Sequence, residues 1–183
     1  MLLGAVRCVI ATAPLYRPTM PRTGKPFSVT MTNCGELGWV SDKDGGYRYQ
    51  ATHPVTGRPW PPIPPVLLAL WDALSGYPAP PEACLVNVYG ADAKLGSHAD
   101  TDELEFAAPV LSVSLGDVAT FHVGGTRRSD PKVRMRLHSG DVVILGGASR
   151  RAYHGIDRIH PGTSELLAEG GRINLTLRRV MLR

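Results

Sequence analysis

The 183 residues suffice for one domain with a hydrophobic core and are too few for two domains of ordinary size. Twenty glycines and sixteen prolines indicate many turns between short elements, which disfavours a helical bundle and favours a β-rich fold. The net charge of +4 is compatible with a polyanionic partner without establishing one.

The first element in chain order is a predicted helix that ends before Pro14. The opening MLLGAVRCVIATAPLY resembles a signal sequence only loosely, because Arg7 interrupts its apolar run. No apolar run approaches the roughly 20 residues that cross a bilayer.

The three cysteines lack a CxxC spacing, so they indicate neither a disulfide framework nor a zinc site. We therefore expect a reduced, cytoplasmic protein with no membrane partner.

Residues 17–62 are predicted to be rich in loops, and a second helix follows them. The loop prediction rests on turn signals such as Asp44-Gly45-Gly46. The run GRPWPPIPP is either a polyproline ligand or a connector. We favour the connector, because Pro64 and Pro65 precede VLLALWDALSGY, whose apolar residues follow helical spacing.

From Cys84 onward the pattern changes to alternating or short apolar runs, which predict about seven strands. Strands at this spacing are typical of a sandwich or a jelly-roll barrel. The segments are CLVNVY, PVLSVSL, VATFHVG, KVRMRLH, DVVILGG, RAYHGI and RINLTLRRV.

The last predicted strand carries a polar face. Side chains alternate along a strand, so Arg172, Asn174, Thr176 and Arg178 share the face opposite Ile173, Leu175 and Leu177. One interpretation is an ordinary strand with a solvated face. The other is a ligand site in a barrel mouth, completed by Asn87 and Tyr89 from CLVNVY, whose ligand would be a carboxylate because arginine binds carboxylates bidentately.

The stretch GSHADTDE places His98 and Asp100 two residues apart. A His-x-Asp pair on a strand puts both side chains on one face, where a second histidine from a distant strand completes a three-ligand iron site. Six histidines are available, and His154 lies 56 residues after His98. Taken alone, a His-x-Asp pair is also compatible with a turn that holds a hydrogen-bonded histidine.

Ordered motifs along nearly the whole chain resemble the AlkB family of Fe(II)/2-oxoglutarate-dependent dioxygenases, which repair alkylated nucleic acids. These are MTNCGELGW at 31–39, NVY at 87–89, KLGSHADTDE at 94–103, VSLG at 113–116, GGTRRSDP at 124–131, GDVVILGG at 140–147, YHGI at 153–156 and RINLTLR at 172–178.

The resemblance implies a mainly β (α+β) fold, a double-stranded β-helix or jelly roll with supporting N-terminal helices and a nucleotide-recognition lid. We expect one dioxygenase domain over 1–183, with helices and lid in 1–83 and the jelly-roll core in 84–183. The resemblance also assigns catalytic iron ligands and a set of residues for the cosubstrate 2-oxoglutarate. The iron ligands are His98, Asp100 and His154; the cosubstrate residues are Asn87, Tyr89, Arg172, Asn174 and Arg178.

The family oxidises methyl groups on base nitrogens with O2 and 2-oxoglutarate, releasing formaldehyde, succinate and CO2. The implied substrates are bases of the N1-methyladenine and N3-methylcytosine type in DNA or RNA, preferably single-stranded, and the implied protein is a monomer. The lid would read an unstacked base. The implied substrate residues are Met31, Trp39, Tyr47, Asp102, Glu103 and Arg128, with Arg127 as a further phosphate contact.

Two departures and two alternative functions accompany this interpretation. Thr101 stands where many relatives have lysine, so one nucleic-acid contact is absent. The chain begins inside the expected first helix, so we expect an exposed edge near 1–13 with lower stability or self-association.

Two alternative functions stay open. One is a 2-oxoglutarate oxygenase for a protein, lipid or metabolite, which needs no nucleotide lid. The other is a non-catalytic jelly-roll binding module, which needs no metal triad.

Overall fold

The computed structural model describes residues 2–182, which form two helices, one turn of 3-10 helix and eleven strands. The helices are α1 (Leu2–Thr12) and α2 (Pro65–Leu74), and the 3-10 turn covers Gly147–Ser149. The strands are β1 (Thr30–Gly35), β2 (Gly38–Asp42), β3 (Gly46–Gln50), β4 (Ala83–Tyr89), β5 (Leu95–His98), β6 (Val110–Gly116), β7 (Val118–Val123), β8 (Val133–Leu137), β9 (Val142–Leu145), β10 (His154–His160) and β11 (Arg172–Arg178).

Two antiparallel sheets form the jelly roll and enclose a cavity. The larger sheet has the strand order β1-β4-β11-β6-β9, and the smaller has the order β5-β10-β7-β8. Strands β2 and β3 form a separate hairpin, residues 38–50, which we call the lid hairpin. Residues from both sheets and from the lid hairpin line one cavity of about 720 Å³. The predicted jelly roll with supporting helices is confirmed.

The two helices cover the outer face of the larger sheet. Val6 and Val9 of α1 and Leu67 and Trp71 of α2 are buried in one hydrophobic cluster with the apolar face of β11. As predicted, α1 ends before Pro14 and α2 begins at a proline, whose fixed φ suits the first helical turn. The apolar face of the opening segment is therefore covered; Met1 lies outside the described residues. No helix within residues 2–182 is long and apolar enough to cross a membrane.

Strand β11 is buried along its whole length, with apolar residues toward the helices and polar residues toward the cavity. The interpretation of a solvated polar face is therefore wrong. Central position explains this burial, because β11 pairs with β4 on one side and with β6 on the other. Its arginines must therefore find partners inside the protein.

Three parts of the fold differ from the prediction. Residues 17–62 contain the strands β1, β2 and β3, and β1 pairs with β4, so the core sheet extends into the segment assigned to helices and lid. Short β5 was not predicted. Strand β10 begins at His154, whereas the predicted strand ended two residues later, at Ile156. In each case glycines or polar residues hide the apolar alternation that marks a strand.

Candidate metal centre and substrate cavity

Pairing of β5 with β10 brings His98 and His154 together. They are register partners in this antiparallel pair, and their ring centroids lie 4.5 Å apart. Gly155 permits the close approach of the strands, because a Cβ there would lie 2.5 Å from the carbonyl oxygen of Leu95. The strand pairing thus positions two imidazoles that are distant in sequence.

Both histidines present the same ring nitrogen to Asp100. His98 Nδ1 lies 2.9 Å from the carbonyl oxygen of Gly96, and His154 Nδ1 lies 2.9 Å from that of Ala152. A carbonyl only accepts hydrogen bonds, so each Nδ1 carries the proton and each Nε2 keeps a free lone pair. The two Nε2 atoms lie 3.7 Å from Asp100 Oδ1 and Oδ2, respectively. This tautomer leaves Nε2 of both rings free to bind a metal ion.

Asp100 has the charge and the free oxygen that a cation site requires. Arg178 NH2 donates to its Oδ1 at 2.7 Å, whereas its buried Oδ2 has no hydrogen-bond partner within residues 2–182. Burial alone would raise the pKa of Asp100, but Arg178 and the two histidines hold it below its ordinary value. Burial lowers the pKa of His154 to about 4, so its ring is neutral at neutral pH.

The three side chains form a candidate metal centre, with ligand atoms all within 4.8 Å of one another. Two imidazoles and one carboxylate are the facial ligand set of non-haem Fe(II) oxygenases. The orphaned Asp100 oxygen and the free Nε2 atoms fit a divalent ion. Within residues 2–182 this is the one group of three or more potential ligands that lie close enough to share an ion.

The remaining histidines lie outside this centre, and His53, His122 and His160 each have a hydrogen-bond partner elsewhere in the fold. His53 is buried, and its Nε2 lies 2.8 Å from the carbonyl oxygen of Pro14. His122 Nδ1 lies 2.8 Å from Asp157 Oδ1 on the neighbouring strand. Sequence spacing did not reveal the pair of His122 and Asp157, because neighbours on adjacent strands are not close in sequence.

Glu103 does not occupy the position predicted for it. It is 1% exposed, does not line the cavity and lies behind Asp100. Its Oε1 accepts hydrogen bonds from Arg178 NH1 (2.7 Å) and the Tyr49 hydroxyl, and Arg150 NH2 donates to Oε2 at 3.2 Å. The predicted contact of Glu103 with a methylated base is therefore corrected to a structural role, since both its oxygens are used inside the protein.

Arg172 is a buried cation with unused donors. It is 1% exposed, and NH2 donates to Ser114 Oγ at 2.7 Å. Its Nε and NH1 have no hydrogen-bond partner in the described chain, and its guanidinium carbon lies 5.7 Å from the centre of the Tyr89 ring. Burial lowers the pKa of Arg172, because no described carboxylate pairs with this arginine. Such a group calls for an anion in the cavity.

The five predicted cosubstrate residues share this cavity but differ in how many of their hydrogen-bond donors are free. All five line it: Asn87, Tyr89, Arg172, Asn174 and Arg178. The amide of Asn174 already donates to Ser112 Oγ (2.7 Å) and to the Val113 carbonyl (3.1 Å), and its oxygen accepts from Thr176. Arg178 is bound to Asp100 and Glu103. Within residues 2–182, Arg172 has two nitrogens without a hydrogen-bond partner and Arg178 has one, its Nε, so Arg172 is the better carboxylate receptor of the two.

The lid residues form the opposite wall. Trp39 stacks on Tyr47, with ring centroids 5.5 Å apart and planes 23° apart, and its Nε1 donates to Asp102 Oδ2 at 2.8 Å. Phe27 meets Trp39 edge-on at 6.3 Å. Tyr47 is 51% exposed, whereas Met31 is buried in the cavity wall. Aromatic faces and a carboxylate therefore face the cavity together.

Arg128 lies at the cavity rim, with its guanidinium carbon 5.2 Å from the centre of the Tyr153 ring. Arg127 does not line the cavity. Sequence reasoning missed Arg150, Tyr49 and Phe27. The alternation in GYRYQ is the signal that could have identified Tyr49, whereas Arg150 lies in a loop without a pattern.

The chain is similar to known proteins along most of its length. The family model described as the 2OG-Fe(II) oxygenase superfamily matches residues 2–178. An alpha-ketoglutarate-dependent dioxygenase AlkB homolog from Caulobacter vibrioides is 57% identical over 156 residues, covering 85% of this chain and 70% of that protein. The AlkB dioxygenase of Escherichia coli is 42% identical, covering 93% and 80%. The solved structure of OsALKBH1 has a TM-score of 0.79 and 33% identity, covering 96% and 88%.

Proposed function

Because the chain belongs to the AlkB family of 2OG-Fe(II) oxygenases, and so is an Fe(II)- and 2-oxoglutarate-dependent dioxygenase that uses O2, we propose that it demethylates alkylated bases in DNA or RNA. One observation carries the proposal: a single cavity joins the metal centre, an unpaired buried arginine and an aromatic, acidic lid. A damaged base would be restored directly, with release of formaldehyde, succinate and CO2.

The metal centre would hold iron through His98 Nε2, Asp100 Oδ2 and His154 Nε2. Bound iron, with 2-oxoglutarate and O2, supplies the oxidising power for a methyl C–H bond. The chain supplies ligand orientation: the Nδ1 hydrogen bonds fix both rings, and Arg178 fixes Asp100. The neutral His154 ring offers its lone pair without competition from a proton at neutral pH.

Arg172 would bind a carboxylate of 2-oxoglutarate. Its free Nε and NH1 donors form the fork that binds a carboxylate bidentately, and the hydrogen bond to Ser114 fixes its orientation. Tyr89 packs beneath the guanidinium, and Asn87 lines the same wall. We assign the C5 carboxylate to Arg172, and we place Arg178 beside the metal end of the cosubstrate.

The lid would bind the base. Trp39 and Tyr47 offer flat aromatic surfaces for stacking, and Asp102 places a negative charge beside them. N1-methyladenine and N3-methylcytosine carry a positive charge, which a carboxylate stabilises. Exposed Arg128 would contact a phosphate of the strand. Single strands suit this site best, because an unpaired base leaves its stack at lower cost. We further propose that the protein acts as a cytoplasmic monomer.

The test is formaldehyde release from methylated oligonucleotides in the presence of Fe(II) and 2-oxoglutarate. The panel compares N1-methyladenine with N3-methylcytosine, DNA with RNA, and single strands with duplexes, and includes an unmethylated strand. We expect formaldehyde from methylated single strands and none from the His98→Ala variant. If no methylated strand releases formaldehyde while the protein still decarboxylates 2-oxoglutarate, the substrate is a protein, lipid or metabolite instead.

A further inference from the structure

A chain of buried hydrogen bonds runs from the lid hairpin to the metal centre. Trp39 and Tyr47 of this hairpin face the cavity, whereas Tyr49, two residues further along β3, extends behind it. The Tyr49 hydroxyl donates to Glu103 Oε1 and accepts a hydrogen bond from Arg178 NH1 at 3.0 Å. Arg178 then donates through NH2 to Asp100 Oδ1.

We propose that Tyr49 is a positioning residue that ties the lid hairpin to the metal ligand Asp100 through Glu103 and Arg178. The inference rests on the proposed metal centre, since it concerns the orientation of one of its ligands. It adds to the base-binding role of the lid, because the same hairpin would then also determine how the metal is held.

The network behind Asp100 is buried and balanced in charge. Two carboxylates, Asp100 and Glu103, face two guanidiniums, Arg178 and Arg150, and each of the four residues is less than 9% exposed. Arg150 also donates to the backbone carbonyl of Asp100 at 3.1 Å. Tyr49 is the member of this network that comes from the lid hairpin. Its side chain packs against the buried cluster of Met31, Ala83, Leu85 and Val180.

Arg178 is shared between two carboxylates, and Tyr49 influences how it is shared. NH1 serves Glu103 and NH2 serves Asp100, both at 2.7 Å. The Tyr49 hydroxyl donates to the same Glu103 oxygen, so it supplies part of the positive potential there. Without this donor, Glu103 would attract Arg178 more strongly, because charges interact strongly in a buried site. Arg178 would then hold Asp100 less well, and Oδ2 would lose its fixed direction.

The consequence is measurable as metal affinity. Substitution of a residue that orients a metal ligand typically weakens binding about 10- to 100-fold. A movement of the lid hairpin would also alter the hydrogen bond between Arg178 and Asp100. If substrate binding at the lid changes metal affinity, metal binding must change substrate affinity by the same factor. A methylated oligonucleotide that seats the lid is therefore expected to tighten metal binding, and less so when the Tyr49 hydroxyl is absent.

The experiment measures Mn(II) binding to the metal-free chain of 183 residues, from the loss of the electron paramagnetic resonance signal of free Mn(II). We expect Tyr49→Phe to bind Mn(II) about tenfold more weakly than wild type. Tyr77→Phe is the matched control: Tyr77 is also half-buried, but it packs against the core on the helix side of the larger sheet, outside the lid hairpin and the Asp100 network. Its Mn(II) affinity should equal that of wild type, with both melting temperatures recorded.

Three outcomes separate the explanations. Wild-type Mn(II) affinity in folded Tyr49→Phe overturns the inference, as does an equal loss in both tyrosine variants. If Tyr49→Phe does not fold, Glu103→Gln serves instead: it keeps the side-chain shape and removes the charge that competes with Asp100 for Arg178, so Mn(II) binding should be at least as tight as in wild type. Weaker Mn(II) binding in folded Glu103→Gln would overturn the inference. If His98→Ala binds Mn(II) like wild type, the proposed metal centre itself is wrong.

Discussion

The two walls of the cavity are held in different ways. On the metal side, Asp100, Glu103, Arg150 and Arg178 are buried, and each is bound to an oppositely charged group. On the lid side, the Trp39 indole contacts two aromatic rings and donates one hydrogen bond, and Tyr47 is about half exposed. The metal side is therefore preorganised, whereas the lid side has few contacts to lose when it adapts to a substrate.

The difference follows from the chemistry that each wall serves. Metal ligands need fixed directions, and removing one partner from a buried ion pair leaves an uncompensated charge, at a cost of about 3–5 kcal/mol. Stacking on a base tolerates small shifts, because every base presents a flat face. Substitutions on the metal side should thus have larger effects than substitutions in the lid.

The largest expected effect is loss of turnover. His98→Ala, Asp100→Ala and His154→Ala each leave too few ligands to hold Fe(II), so each should abolish formaldehyde release from a methylated oligonucleotide. His138→Ala is the matched control, because the His138 side chain is 65% exposed and does not line the cavity. Near-normal turnover in all three ligand variants would eliminate this metal assignment.

A second effect concerns stability against acid in the metal-free protein. The pKa of His154 is about 4 in the folded chain and 6.5 ordinarily, so between these values the unfolded chain binds a proton that the folded chain does not. The free energy of unfolding should fall by about 2–3 kcal/mol between pH 7 and pH 4.5 from this residue. Urea titrations of wild type and His154→Gln isolate this contribution, because glutamine does not titrate. Identical pH dependence in both proteins would refute it.

Substitutions of the two buried arginines should affect different ligands: Arg172 the cosubstrate 2-oxoglutarate, and Arg178 the metal ion as well. Arg172→Ala removes a charged partner worth about 1.5–3 kcal/mol, so the KM for 2-oxoglutarate should rise roughly 10- to 100-fold with little change in Mn(II) affinity. Arg172→Lys should recover part of the loss, since it keeps the charge but not the fork. Arg178→Ala should weaken Mn(II) binding as well, because Arg178 holds Asp100. If Arg172→Ala weakened Mn(II) binding and Arg178→Ala raised only the KM for 2-oxoglutarate, the roles of the two arginines would be exchanged.

In the lid, Trp39→Ala should weaken demethylation while leaving slow, substrate-free decarboxylation of 2-oxoglutarate intact. Stacking is worth about 1–3 kcal/mol per base, so kcat/KM for the oligonucleotide should fall about tenfold or more. Trp39→Phe keeps a stacking surface and loses the hydrogen bond to Asp102, so it should lose less. Equal losses in both reactions would show that Trp39 serves the core.

The smallest effect is expected at the rim. Arg128→Ala removes one phosphate contact, which should reduce the slope of log affinity against log salt by about 0.7 for a single strand. Oligonucleotide binding across a salt series measures this slope, and the KM for 2-oxoglutarate should stay at the wild-type value. An unchanged slope would place Arg128 away from the phosphates.

Period-two alternation made the core strands predictable, and proline rules placed α2. Strand β11 shows both the strength and the limit of this reasoning: its two faces were separated correctly, yet its burial depends on flanking strands that pattern alone does not locate. The lid hairpin was missed as strands because glycines and charges dominate it. Local sequence describes a strand's faces, while its neighbours decide whether both are covered.

The site shows the same division. The motifs indicated His98, Asp100 and His154, and the strand pairing brings these residues together. Glu103 was assigned to the base because it follows the ligand aspartate in sequence, but the chain turns it away from the cavity. Arg150 could not be found from spacing, and the alternation in GYRYQ could have placed Tyr49 on a strand without showing its partners, since tertiary contacts bring the partners of both residues together.

The most direct test of the central claim is to measure succinate and formaldehyde in one reaction with a single-stranded oligonucleotide that carries one N1-methyladenine. The preorganised metal side should decarboxylate 2-oxoglutarate, and the lid should present the methyl group, so the two products should form in equal amounts at early times. Replacing the strand with its unmethylated counterpart should leave only slow succinate formation. Succinate formed at the same rate with both strands, without formaldehyde, would contradict the account.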